Sequence, residues 1–181
     1  SGGGGSIGGN LVSNLIKLNP KKIFVIDNCE YGIFKLKEQI PKYYENKIEY
    51  NIIDIKNYSM LRNLIQRTKP NIIFHAAALK HVSFLEKNPV EGVKTNIFGT
   101  KNILDLAIKN NTSKFIHIST DKAAEPKSIL GITKFFSELV CTTSNNKKTK
   151  VGIIRFGNVF DSNGSVSEIF RNKIIKNLKI N

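Results

Sequence analysis

Apolar residues recur along this chain in two alternating rhythms. Short, nearly unbroken apolar runs give way to longer stretches in which the apolar positions fall three and four apart. Ile23-Phe24-Val25-Ile26, Glu49 to Ile53, Asn71-Ile72-Ile73-Phe74, Lys114 to Ile118 and Val151 to Phe156 are the short runs, and each reads as a buried strand. Asn10 to Leu18 sets Leu11, Val12, Leu15 and Ile16 at helical spacing, a helix follows from about Tyr31 to Gln39, and Tyr58 to Arg67 puts Leu61, Leu64 and Ile65 on one face. Val90 to Ile108 predicts a long helix, another opens near Ser128 and runs through Leu139 and Val140, and a basic amphipathic one spans Val166 to Leu178. Strands of this type alternating with helices predict an α/β domain. Its sheet should be parallel and doubly wound, with helices on both faces and right-handed crossovers.

Polar and glycine positions mark where the chemistry lies. Gly2, Gly5 and Gly8 form a glycine-rich turn that opens the first helix, an arrangement that brings backbone N–H groups up to a pyrophosphate. Ser-Gly-Gly-Gly-Gly-Ser alone is also the composition of a flexible linker, so the residues downstream must decide. Asp27 ends the first strand 19 residues after Gly8, close to the spacing of the carboxylate that holds an adenosine ribose. Ala76-Ala77-Ala78 follows the third strand, where three small residues permit either close approach of a flat dinucleotide or simple strand–helix packing. Gly2, Gly5, Ser6, Ile7, Gly8, Asp27, Asp54, Ile55, Ala76, Ala77 and Ala78 are therefore the expected cofactor-binding set of a Rossmann-like domain. A turn of this kind normally follows a central first strand, and none precedes Ser1. The chain is expected to be an excerpt: residues 1–181 form the dinucleotide-binding domain, and 157–181 begin a substrate-binding part.

The fourth strand leads straight into Ser119-Thr120-Asp121-Lys122, then through Pro126 and Ser128 into a helix carrying Lys134. Ligands of parallel α/β sheets bind at such strand ends. Asn96 sits in the middle of a predicted helix without a propensity reason, either solvated or bonding backbone. His75 and His81 lack partners at metal-ligand spacing, so no metal is expected. Cys29 and Cys141 suit a reduced, cytoplasmic protein better than a disulfide framework.

Composition is ordinary for a globular protein, with 40% hydrophobic and 23% charged residues. Charge is not ordinary: 28 Lys+Arg against 14 Asp+Glu gives +14. The lysines are spread along the chain and are not interleaved with stacking aromatics, which argues against nucleic acid as a partner. A basic surface steers anionic small molecules instead. No segment is apolar and long enough to span a bilayer, and no signal peptide is seen.

These motifs resemble the extended short-chain dehydrogenase/reductases that act on nucleotide sugars, and more narrowly the polysaccharide-biosynthesis group of UDP-N-acetylglucosamine 4,6-dehydratases. The matches are Ser1 to Gly8, Asp27 to Tyr31, His75 to Val82 with Glu86 and Asn88-Pro89, Thr95-Asn96 with Gly99-Thr100, Ser119 to Ala123, Gly131-x-Thr133-Lys134 and Arg155 to Val159. The resemblance implies tightly bound NAD or NADP, with NAD favoured by Asp27, and a UDP-sugar substrate. It implies Asp121 as acid for the departing 6-hydroxyl, Lys122 as base at C5, Thr120 near O4 and Lys134 at the nicotinamide ribose. Lys80, His81, Glu86 and Asn158 would bind substrate. A homo-oligomeric, cytoplasmic parent is implied, with anchoring at the inner membrane left open. One position departs: where most of the superfamily carries Tyr four residues before the lysine, this chain has Leu130. A branch of the dehydratases carries Met there, so an apolar residue need not abolish activity. The C4 base is left to Asp121, Thr120 or a bound water. Another UDP-sugar epimerase or reductase, or a catalytically silent dinucleotide-binding protein, stay as alternatives; Leu130 argues against a simple 4-epimerase.

Overall fold

A computed structural model describes residues 1–144, 148–159, 170, 171, 174 and 175. Five strands form, one at each apolar run: β1 (Ile23–Asp27), β2 (Ile48–Ile52), β3 (Ile72–His75), β4 (Lys114–Thr120) and β5 (Lys150–Phe156). All pairings are parallel, as strands joined through crossover helices must be. β1 pairs with β2, and β3–β4–β5 form a second sheet with β4 in its middle. The two sheets meet at a seam made by the start of the glycine turn. Ser1 N donates to Phe74 O (2.7 Å) and Ala76 N to Ser1 O (3.0 Å), while Gly3 N donates to Ile26 O (3.2 Å). Residues 1–3 thus tie the carboxyl ends of β1 and β3 together, giving the expected Rossmann-like α/β architecture.

Helices fall between the strands: α1 (Ser6–Leu15), α2 (Glu30–Gln39), α3 (Tyr58–Thr68), α4 (Val82–Lys87), α5 (Pro89–Gly92), α6 (Thr100–Lys109) and α7 (Ile129–Thr142). Side-chain caps fix several starts. Asn57 Oδ1 accepts from Met60 N at α3, and Ser128 Oγ accepts from Gly131 N at α7. α1 begins four residues before the periodicity shows it, because Gly8 and Gly9 carry no side chain to register in an apolar pattern. β4 runs two residues beyond Ile118, because Ser119 and Thr120 still pair with Arg155 and Phe156. The long helix expected over Val90 to Ile108 is continuous but uneven: a π-helical segment, Val93–Gly99, separates α5 from α6. Extra-wide turns of this kind are rare and cluster at functional sites. The helix predicted at Val166 to Leu178 falls mostly outside the described residues.

Two apolar cores result. The larger joins Ile26, Ile53, Leu61, Ile73, Ile103, Leu104 and Phe115; the smaller gathers Val12, Ile16, Val25, Leu36, Ile40 and Ile48 around β1 and β2. Phe115, on the central strand, is fully buried. Phe115→Ala should lower the unfolding free energy by about 3–5 kcal/mol. Urea denaturation followed by circular dichroism measures this as a lower midpoint.

Candidate active site

The carboxyl ends of the strands open on a cleft of about 630 Å³. Its floor is the glycine turn. Gly2 has φ of +72°, and a Cβ there would lie 2.5 Å from Ala77 N; a Cβ on Gly8 would lie 2.0 Å from Gly2 O. Only glycine permits this packing, and it leaves a concave cradle at the N-terminus of α1, where the helix dipole favours an anion. Asp27 is fixed beside it, with Oδ2 accepting from Gly4 N and Oδ1 from Cys29 N, both at 2.9 Å. The remaining lone pairs of that carboxylate suit a ribose diol. Small lining residues, a helix N-terminus and a pre-oriented carboxylate together fit a dinucleotide.

Of the expected cofactor set, Gly2, Gly5, Asp27, Asp54, Ile55, Ala76, Ala77 and Ala78 line the cleft. Ser6, Ile7 and Gly8 stand behind it in the first turn of α1. Lys80 and His81 line it too. Asn28, Cys29 and Thr95, which fall within the matched motifs without being assigned to a site, also line it, as do Lys56 and Phe84, which no motif singles out. Lys56 joins two walls, reaching Asp54 (3.5 Å) and Glu91 (3.2 Å).

A second cluster sits at the end of β4, outside the lining of that cleft. Thr120 Oγ1 donates to Asp121 Oδ1 (2.9 Å), and Lys122 Nζ reaches the same oxygen at 3.1 Å and Asn158 Oδ1 at 2.9 Å. Lys122, then Thr120, hold the Asp121 carboxyl below its ordinary range. The side chains are 57% and 39% exposed, so the pair contributes little stability. Asn158, expected at the substrate, is placed on Lys122. Glu86, expected there as well, has Oε1 accepting from Ile129 N (2.8 Å), where a carboxylate favours the start of α7.

Lys134 lies inside, 5% exposed, its Nζ donating to Ile118 O (2.6 Å). Burial lowers its pKa to about 8. Leu130, one turn earlier, is buried. Asn96, whose role the sequence leaves open, is completely buried. Its Oδ1 accepts from Leu79 N (2.8 Å), and its Nδ2 donates to Leu79 O (3.1 Å) and Thr133 Oγ1 (3.0 Å). His75 bridges Ser1 Oγ (2.6 Å) and Thr100 Oγ1 (2.8 Å), and burial holds it neutral. On α7, Glu138 takes a two-pronged ion pair from Arg155 of β5 (2.9 and 2.6 Å). Among the described residues, no three His, Cys, Asp or Glu side chains gather as a metal site, and no helix is long and apolar enough to cross a membrane.

A domain built this way has the Rossmann-like α/β fold of the extended short-chain dehydrogenase/reductase class. Residues 1–181 match the family described as polysaccharide biosynthesis protein, and the chain belongs to that family of nucleotide-sugar-modifying enzymes. It is 40% identical over 178 residues to the capsular polysaccharide biosynthesis protein CapD of Staphylococcus aureus, covering 96% of this chain and 30% of that protein. It is 34% identical over 184 residues to a UDP-N-acetylglucosamine 4,6-dehydratase (inverting) of Campylobacter jejuni, covering 99% and 54%. The X-ray structure of Pen from Bacillus thuringiensis superposes with a TM-score of 0.90 at 37% identity, covering 97% of this chain and 56% of that one. Dehydratase and epimerase structures solved with NAD bound share the fold at 21–22% identity, a likeness that speaks to the fold alone. The chain spans about half or less of the length of these relatives.

The buried lysine makes stability depend on pH. In the unfolded chain Lys134 keeps its proton up to the ordinary value of 10.5, and in the folded domain only to about 8. The folded state therefore binds fewer protons between these values, and the cost of burying the charge is full below pH 8 and relieved as pH rises towards 10.5. Lys134→Met should gain stability over the parent at pH 7.5, and the gain should shrink by pH 10. Urea denaturation of both proteins at both pH values gives that difference.

Proposed function

We propose that this chain is the cofactor-binding and catalytic part of a nucleotide-sugar 4,6-dehydratase acting on UDP-N-acetylglucosamine or a similar UDP-sugar. The contact between Asp121 and Lys122 carries the reading. Elimination across C5–C6 needs a base at one carbon and an acid at the oxygen on the next, and neighbouring residues on one tight turn supply both. NAD, held by the cleft around Gly2, Gly5 and Asp27, would supply the hydride chemistry at C4 and C6. The Lys122 amine takes the C5 proton as the C5–C6 double bond forms, and Asp121 protonates the departing 6-hydroxyl, which leaves as water. A 3.1 Å hydrogen bond joins the two groups, a path along which the proton that distinguishes the acid from the base can pass. Thr120 orients Asp121 and hydrogen-bonds the sugar near O4. Asn158 holds the Lys122 amine.

NAD is favoured over NADP, because the Asp27 carboxylate accepts from a free 2′-hydroxyl and repels a 2′-phosphate. Lys80 and His81, on the cleft wall, are assigned to substrate. The activity belongs to the longer protein, in which residues 157–181 begin the sugar-binding part. A homo-oligomer with this domain on the cytoplasmic side is part of the proposal. Epimerases of Rickettsia species, named UDP-glucose 4-epimerases, match at 33–34% identity and make epimerisation the second reading.

The parent protein, incubated with UDP-N-acetylglucosamine and NAD, should yield a 4-keto-6-deoxy sugar nucleotide lighter by one water, seen by mass spectrometry. A 4-epimer of unchanged mass would mark an epimerase, and no turnover with NAD bound would mark a silent binding protein. Lys122→Met should reduce dehydration about 100-fold or more with NAD still bound; unchanged turnover sinks the assignment. Asp27→Ala should weaken NAD binding at least about tenfold by calorimetry.

A further inference from the structure

Beneath the strand ends, an amine and an imidazole share the interior, and the groups around them decide where the hydrogens lie. Ser137 Oγ has one hydrogen and gives it to Lys134 O at 2.7 Å. Its contact with His117 Nε2 at 2.9 Å is then a hydrogen bond only if Nε2 carries a proton and donates. His117 Nδ1 is left as a bare, buried lone pair without a partner. An orphaned acceptor is more readily tolerated than an orphaned N–H. Lys134 Nζ stands 3.3 Å from the same Nε2. An ammonium directed at Nε2–H finds no lone pair. A neutral amine does fit: it donates to Ile118 O, and its lone pair faces the single Nε2–H, which it shares with Ser137 Oγ in a three-centre contact.

Two other titratable groups facing Lys134, Cys141 and Glu138 of the same helix, push the opposite way and raise its proton affinity, by less than burial lowers it. Glu138 is also engaged by Arg155 from β5, and the Cys141 thiol is pushed up to about 12, chiefly by burial. His75 from β3 stacks on the far side of His117 at 5.3 Å and is itself held neutral by burial.

We propose that His117 is a positioning residue for Lys134, turning a ring N–H towards the amine and so favouring its neutral, proton-accepting form one helical turn from Leu130, where the class carries tyrosine. What the amine accepts rests on the dehydratase reading: the 4-hydroxyl O–H bond breaks as an N–H bond forms on Lys134, the freed O–H pair closes the C4=O double bond, and the C4–H bond breaks with its pair as a hydride, for which a bound dinucleotide would be the acceptor. The long lysine stem lets the amine turn from Ile118 O towards the strand end.

The test reads Lys134 directly, in the ligand-free domain, by the pH dependence of its ¹³Cε signal in lysine-labelled protein, with Lys134→Met identifying the peak. The parent should titrate near 8. His117→Phe, which fills the space but cannot donate, should raise the midpoint by about one unit, a roughly tenfold loss of neutral amine at neutral pH. His117→Gln keeps an N–H donor and should restore the low midpoint. A folded His117→Phe variant with the parent's midpoint overturns the proposal, since burial alone would then set it. Where His117→Phe does not fold, Ser137→Ala decides: it frees Nε2–H for the amine, so the midpoint should hold or fall, and a rise overturns the proposal. No outcome depends on turnover, so a failed dehydratase reading is told apart from a failed role for His117.

Discussion

The carboxamide of Asn96 is the joint on which the site depends. Wholly buried, it holds both the N–H and the C=O of Leu79, immediately after the alanine run, and reaches Thr133 on α7 with its second hydrogen. Thr100, one turn on, donates to Asn96 O and meets His75, which in turn meets Ser1 at the head of the glycine turn. One polar thread therefore links the glycine turn, the alanine loop and the helix carrying Lys134. Each member is expensive to leave unpaired away from water, so these elements keep their spacing together. The π-segment is what brings the Asn96 side chain inward at this point.

The molecule places its ionisable groups in two contrasting surroundings. Asp121 and Lys122 sit in the open, where water screens their attraction; a bound sugar that excludes water strengthens it. Lys134 and His117 are already dry. Burial holds His117 down to about 2, with Lys134 adding to the effect. Loss of water thus lowers the proton affinities of His117 and Lys134, while hydrogen bonds from Lys122 and Thr120 lower that of Asp121.

Much of the fold was legible in the sequence. The apolar runs coincide with the strands of the described residues, although none is buried along its whole length and β5 is largely exposed, and the helices emerge from their apolar faces. Asp27 and the glycines were legible because a backbone cradle tolerates few alternatives. The start of α1 and the end of β4 were not, since glycines and polar pairing residues are silent in an apolar pattern. The π-segment was also hidden: nothing in periodicity distinguishes one wide turn within a long helix. Glu86 and Asn158 show a further limit. Both have chemistry suited to a sugar, but their contacts are with residues 43 and 36 positions away, a proximity that only folding creates.

The cleft lies between two apolar cores, one gathered around β1 and β2 and a larger one that reaches from Ile26 to Phe115. The cleft straddles that boundary, with Asp27 on one side and the alanine run on the other. A ligand laid across it acts as a cross-brace, and its binding energy returns as protection of β1 and β2 amides against exchange with solvent. The dinucleotide would then be part of the fold's own stiffness as well as a reagent.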